Sequence, residues 1–372
     1  MCDRMLPLEG TMMTEYVTLE HGRLACDLVG DGPLVVLSHG MGTLRQDFRL
    51  LLGPLAAAGY RVVNVDMRGH GESGTEWPSV TGKAAISRAD VAADLLGVIR
   101  HFGGPAVIVG HSLSGGSATI AAAQAPELVS GIVEIGPFTR TQRLHVGALL
   151  GSRRYRRGMV RLALTMTLKS MPWWRRYLDV AYPTKPADYD RYLADVESML
   201  RRPGRFAEFM KTGQTTPADA HARLAEVRCP ALVIMGSADP DFADPEAEAN
   251  AIVAALPDGV GRVVMIENGG HYPHAQSADD VAAAIIPFLG RCAARAFRHH
   301  RSRAGRPPRS TANRGETPPR IRQGRTRART SHGAPDLGAL VPRRAPSSSS
   351  STRACSWSNW PGRWTFSAPS TR

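Results

Sequence analysis

Three short stretches of the 372-residue chain carry residues able to do nucleophilic chemistry. In Gly110-His111-Ser112-Leu113-Ser114-Gly115-Gly116 a serine follows the apolar run Val107-Ile108-Val109 and precedes an alanine-rich stretch. A buried strand, a turn of small residues and then a helix hold such a serine on a strained corner and project its hydroxyl from the carboxyl edge of a sheet. The Gly110 to Ser114 pentapeptide also suits an exposed turn serine or a helix N-cap. A free hydroxyl is a poor nucleophile at neutral pH, so it needs a base, and the base needs an orienting acid. Both follow along the chain. Gly236-Ser237-Ala238-Asp239-Pro240 comes after the run Ala231 to Met235, and Asn268-Gly269-Gly270-His271-Tyr272-Pro273 comes after Arg262 to Ile266. Ser112, Asp239 and His271 therefore all fall just past the carboxyl ends of strands, the edge at which open α/β sheets bind ligands.

The elements that must place them are legible from hydrophobic pattern. Continuous apolar runs at Pro33 to Ser38, Tyr60 to Val65, Ala106 to Val109, Gly131 to Ile135, Ala231 to Met235 and Arg262 to Ile266 read as strands buried on both faces. Helical patterns lie between most of them: Leu44 to Ala58, Ser87 to Phe102, Leu113 to Ala125, Glu246 to Leu256 and Ala278 to Leu289. Glu15 to Val29 reads as a β-hairpin turning at His21-Gly22. Alternation of strand and helix predicts an α/β class with a mostly parallel central sheet. Asp244-Pro245-Glu246 supplies an N-cap acceptor, a proline at the first helical position and an acid in the first turn. Ser277 with Asp280 resembles a capping box.

The chain resembles the α/β-hydrolase-fold enzymes of the serine type over roughly residues 15–292. The matching pieces are His39-Gly40-Met41-Gly42, the segment Asp66 to Ser73, Gly110 to Gly115, Gly236 to Asp239, and Gly270-His271. The resemblance implies that Ser112 is the nucleophile, His271 the general base and then acid, and Asp239 the residue that orients His271. It implies an oxyanion hole from the backbone N–H groups of Met41 and Leu113. Asp66 and Arg68 would be structural. Asp241, Asp244 and Glu134 stand as rival acids and His274 as a rival base, while His39, His70 and His111 read as turn or packing residues. Relatives on this fold that open epoxides or dehalogenate use aspartate at the elbow, so serine points to acyl chemistry: hydrolysis of an ester, thioester, lactone or amide, cleavage of a carbon–carbon bond beside a ketone, or acyl transfer. With no metal cluster, phosphate loop or dinucleotide fingerprint in the sequence, no cofactor or metal is expected.

Residues 138–225 interrupt the alternation, with no buried strand run and many arginines, methionines and aromatics. They read as a mostly helical insertion; the resemblance implies that it caps the site, its apolar side chains either lining an acyl pocket or packing the cap onto the core. The core is then 15–137 and 226–292, preceded by a flexible leader 1–14, with Met12 and Met13 as alternative starts. Residues 293–372 are rich in Arg, Pro, Ser and Gly and read as disordered, either a native appendage or the product of a frame change near Cys292.

The formal charge of +13 divides unevenly: −5 over residues 1–137, +10 over 138–225, −8 over 226–290 and +16 over 291–372. A uniformly basic nucleic-acid-binding domain is excluded, and a small-molecule acyl substrate is the expected partner. The basic runs of the cap and tail leave binding to an anionic surface open, and a protein that binds through its tail while the fold is inactive is the non-enzymatic alternative. Five cysteines without a CxxC pair, no apolar run long enough to span a bilayer and no signal-peptide pattern suggest a cytoplasmic chain.

Overall fold

Strands made of unbroken apolar residues must be covered on both faces, and the chain does this by returning through a helix after most strands. The computed structural model describes residues 13–142 and 144–304. Eight strands form one sheet: β1 (Met13–Leu19), β2 (Gly22–Val29), β3 (Leu34–Ser38), β4 (Arg61–Val65), β5 (Ala106–His111), β6 (Val129–Ile135), β7 (Ala231–Gly236) and β8 (Gly261–Ile266). Their order is β1-β2-β4-β3-β5-β6-β7-β8. The hairpin β1–β2 is antiparallel and joins β4 antiparallel, and every pairing from β4 through β8 is parallel. β3 and β5, the most central strands, are buried at every position.

The helices of the core are α1 (Arg49–Ala57), preceded by a 3-10 turn at Arg45–Phe48, then α2 (Arg88–His101) and α3 (Leu113–Gln124). After the insertion come α10 (Pro245–Ala255), the single turn α11 (Pro273–Gln276) and α12 (Ala278–Ala304). One apolar cluster packs α2, α3 and α10 on one face of the sheet, and a second packs α1 and α12 on the other. Asp244 caps α10 as expected, accepting from Ala247 N–H at 3.0 Å. A full capping box occurs instead at Ser87 and Asp90, which fixes the start of α2.

Between β6 and β7 lie six helices: α4 (Val146–Gly151), α5 (Arg153–Leu168), α6 (Met171–Ala181), α7 (Tyr189–Arg201), α8 (Arg205–Thr212) and α9 (Ala218–His221). The apolar faces of α5 to α8 meet in a third cluster that includes Trp174, Tyr177, Tyr182, Val196 and Phe209 and reaches Leu44 and Tyr272 of the core. Arg154, Arg202 and Arg205 fasten the insertion by donating to the carbonyls of Ala243, Gly71 and Ser73. Arg140 adds an ion pair to Glu248 of α10.

Two boundaries differ from expectation. β1 starts at Met13, inside the expected leader, and residues 1–12 lie outside the described residues. α12 continues to Ala304 rather than ending near Leu289, so residues 293–304 of the stretch expected to be disordered are helical. Its remainder lies outside the described residues.

Candidate active site

Ser112 sits where β5 ends and α3 begins, with φ 54° and ψ −114°. Only a few non-glycine residues hold a positive φ, and such a conformation costs roughly 1–3 kcal/mol unless its surroundings enforce it. Here they do. The Ser112 N–H continues the sheet by donating to Ile135 O at 2.9 Å, and Phe138 N–H donates to Ser112 O at 3.2 Å. A Cβ on Gly110 would lie 2.2 Å from Ser114 O, so the turn closes only over glycine. Ser114, where a glycine is commoner in the motif, fits and adds bonds: its hydroxyl donates to His39 O at 2.6 Å and lies 2.9 Å from Ser38 Oγ. The turn that carries Ser112 is thereby tied to the loop after β3. A Cβ on Gly40 in that loop would come within 2.9 Å of Ser112 Cβ.

His271 is buried in the loop after β8, and its Nδ1 is 2.9 Å from Asp239 Oδ2 in the loop after β7. A carboxylate can only accept, so Nδ1 keeps a proton in both forms of the ring, and the neutral form has its lone pair on Nε2. Asp239 is also held through Oδ1, which accepts the N–H of residue 241 at 2.9 Å. The rival acid Asp241 approaches too, with Oδ2 3.5 Å from the same Nδ1 and 2.5 Å from the Tyr177 hydroxyl of α6. Burial alone would depress the imidazole, but the charges of Asp239 and then Asp241 outweigh it and lift His271 to about 9. Burial raises Asp241 to about 6, with His271 pulling the other way.

The other candidates stand apart. Asp244 is spent on its cap. Glu134 is buried between the hydroxyls of Thr119 and Thr139. His274 is buried against Phe48, their rings 4.7 Å apart, with Nε2 3.2 Å from Asp47 Oδ2. His39 and His70 accept the N–H groups of Met67 and Gly42 at 3.0 and 3.1 Å, and burial lowers both imidazoles, His70 to about 3. Asp66 receives Arg45 N–H and Glu72 N–H, and Arg68 pairs with both oxygens of Asp94.

Sequence reading missed Asp47. Its Oδ1 accepts from Tyr182 OH at 3.1 Å, while Oδ2 lies 3.4 Å from His111 Nδ1 and 3.2 Å from His274 Nε2. One carboxylate thus joins the 3-10 turn, the residue before Ser112, the His271 loop and the insertion. No local signal marks it, because its partners are scattered along the chain.

Ser112, Leu113, Met41 and His271 all line one cavity of about 170 Å³. Phe138, Leu162, Trp174 and Tyr272 give it an apolar wall, and Arg88, Tyr177, Thr212 and Asp241 are its main polar side chains. Most insertion methionines and aromatics do not reach it and instead pack in the third cluster. A larger groove of about 520 Å³ lies beside the amino ends of β7 and β8, but its lining has no serine, cysteine, histidine or carboxylate. The cavity at the carboxyl edge is therefore the one of the two lined by a serine, a histidine and a carboxylate. Asp239, Asp241 and His271 are also close enough to share a cation, yet the short His271–Asp239 pair accounts for them as donor and acceptor.

Comparison with known proteins agrees with the fold. A family model described as the alpha/beta hydrolase family matches residues 35–284. The 2-(acetamidomethylene)succinate hydrolase of Mesorhizobium japonicum is 30% identical over 272 residues, covering 70% of this chain and 89% of the relative. A 2-hydroxy-6-oxononadienedioate/2-hydroxy-6-oxononatrienedioate hydrolase of Cupriavidus pinatubonensis is 29% identical over 291 residues, covering 74% and 95%. Among solved structures, the enol-lactonase from Burkholderia xenovorans superposes with a TM-score of 0.56 at 20% identity, covering 74% of this chain and all of the other, a likeness of fold.

Proposed function

The chain belongs to the alpha/beta hydrolase family, and on that premise we propose that it is a serine hydrolase that cleaves an acyl bond of a small substrate through an acyl-enzyme. The observation that carries this reading is the meeting of Ser112, on its positive-φ turn, with an Asp239-oriented His271 at one cavity. Ser112 Oγ attacks the scissile carbonyl carbon while His271 Nε2 takes the hydroxyl proton. The tetrahedral oxyanion is received by the N–H groups of Met41 and Leu113, which donate to no loop or turn carbonyl among the described residues. Collapse expels the leaving group, protonated by His271, and water then releases the acid from Ser112 by the same steps in reverse. The insertion serves as a cap: Leu162, Trp174 and Tyr177 close the cavity from that side and exclude water. No step calls on a metal or cofactor. The cysteine pattern fits a cytoplasmic enzyme, and no helix among the described residues is long and apolar enough to cross a membrane.

A fluorophosphonate probe tests this directly. Wild type should label and Ser112→Ala should not; a folded wild type that fails to label refutes the reading. A second reading, hydrolysis of a carbon–carbon bond beside a ketone, is favoured by the 29%-identical relative from Cupriavidus pinatubonensis. Incubation with a 2-hydroxy-6-oxo dienoate separates it from ester hydrolysis, because cleavage destroys the conjugated chromophore.

A further inference from the structure

Among the described residues Arg88 is a buried cation with no ion-pair partner. It opens α2 directly after the Ser87 cap, is 5% exposed, and lines the same cavity as Ser112 and His271. Its one hydrogen bond among the described residues is from Nε to Phe138 O at 2.8 Å, and the buried Nη1 has no partner. No carboxylate of a described residue forms an ion pair with it. Every other arginine that is at least nine-tenths buried behaves differently: Arg45 and Arg68 pair with aspartates, and Arg205 donates to His70 O and Ser73 O. Stranding a charge in this way is expensive, and proteins keep such a group where a ligand completes it.

The place is well defined relative to the nucleophile. Phe138 is the link: its N–H donates to Ser112 O and its carbonyl accepts from Arg88. The Arg88 stem crosses α3 at Gly116, where a Cβ would meet Arg88 Cδ at 2.8 Å. Gly116 is four residues beyond Ser112, roughly 6 Å along the helix. Burial lowers the guanidinium only to about 10, with Asp219 opposing the shift, so it stays charged at neutral pH.

We propose that Arg88 is the anchor for a substrate carboxylate, so that the preferred substrates are acyl compounds bearing a carboxylate a few bonds from the scissile carbonyl. This rests on Ser112 being the nucleophile for its catalytic part, but not for its binding part. A carboxylate accepting from Nη1 would satisfy the orphaned donor with a charge-assisted bond, and the apolar walls would hold the intervening methylenes. Such an anchor sets both which end of the substrate enters first and how far its carbonyl lies from the elbow. The orienting carboxylates Asp239 and Asp241 gather at His271 instead, leaving the Phe138–Arg88 side as the cationic part of the cavity.

The experiment compares mono-p-nitrophenyl glutarate with p-nitrophenyl valerate, two five-carbon acyl groups that differ in the terminal carboxylate. In wild type the glutaryl ester should have the higher kcat/KM. In Arg88→Met the ratio of the two kcat/KM values should fall roughly ten- to a hundredfold, the range of a hydrogen bond to a charged group. Arg88→Lys should recover part of it. Glutarate itself should raise the Tm of wild type and not of Arg88→Met. Since methionine removes an unpaired buried charge, the variant should unfold no earlier than wild type without ligand. An active wild type with no preference for the glutaryl ester, or an unchanged ratio in Arg88→Met, overturns the anchor and leaves the serine mechanism standing. If neither ester is cleaved, fluorophosphonate labelling decides the serine mechanism, and the glutarate shift alone decides the anchor: present in wild type and absent in the variant upholds it, absent in both overturns it.

Discussion

Replacing Asp241 with asparagine should move the pH profile of the enzyme while keeping its catalytic apparatus intact. The substitution is nearly isosteric, Asn Oδ1 can still accept from Tyr177 OH, and the bond from the residue 241 N–H to Asp239 Oδ1 is a backbone bond that survives. What goes is a negative charge 3.5 Å, atom to atom, from His271 Nδ1. With both charges delocalised, centres about 6 Å apart and an effective dielectric constant of about 20 give about 3 kcal/mol, or about two pKa units. His271 is raised to about 9 by its two carboxylates in spite of burial. The variant should therefore titrate near 7, by the same estimate. Neutral imidazole is the base, so kcat/KM rises with pH through this pKa, and loss of the anion moves the rising limb to lower pH. At pH 7 the neutral fraction grows from about one per cent to about half; a weaker base offsets part of this, leaving a severalfold gain at pH 7 and a lower alkaline plateau. The assay is initial hydrolysis of p-nitrophenyl butyrate from roughly pH 6 to 10, read at the isosbestic wavelength of p-nitrophenol. Asp239→Asn is the companion, expected to lose on the order of 10³–10⁴ in kcat because the amide no longer enforces the tautomer. A rising limb that stays in place in Asp241→Asn refutes the electrostatic reasoning. A collapse of activity in Asp241→Asn with a mild effect in Asp239→Asn assigns the orienting role to Asp241 instead.

Two further outcomes concern stability. Ser112→Gly should raise the urea midpoint by an amount equivalent to about 1 kcal/mol at unchanged m, since glycine relieves the φ of 54° but loses more chain entropy on folding; a lower midpoint would show that the corner is not strained. Glu134 is raised from 4.5 to about 7 by burial, so the folded state holds a proton that the unfolded state releases, and stability present below pH 4.5 is lost as pH rises through 7. The loss is about 3 kcal/mol at pH 8; Glu134→Gln should flatten the fall in Tm between pH 5 and pH 8, and an unchanged slope contradicts the assignment.

The parallel sheet was legible because its strands are short apolar runs bounded by turn residues, and Ser112, Asp239 and His271 each stand one turn past such a run. Their roles could be guessed because the chemistry fixes residue type and chain order together. Asp47, Arg88 and the second approach of Asp241 were not legible, since each matters through side chains brought in from distant parts of the chain. The contact from Asp47 to Tyr182, for example, spans 135 residues. α12 was cut short for a different reason: residues 291–304 were weighed by their arginine content, although alanine and arginine are strong helix formers and no glycine or proline intervenes between Gly290 and Gly305. Ser87 with Asp90 has the same Ser-x-x-Asp form as Ser277 with Asp280, so the sequence does not tell which of the two forms a capping box; the folded contacts of α2 do.

The Asp47 junction bears on how the protein comes into being at the ribosome. Its four limbs, at residues 47, 111, 182 and 274, leave the ribosome in that order, and β3, β4 and β5 can pair before the last two exist. Until the segment after β8 docks, Asp47 lacks one of its three partners, and burying the carboxylate then is less favourable. His271 and His274 lie three residues apart, so the segment that completes the Asp47 junction is the same one that carries the candidate base to the cavity.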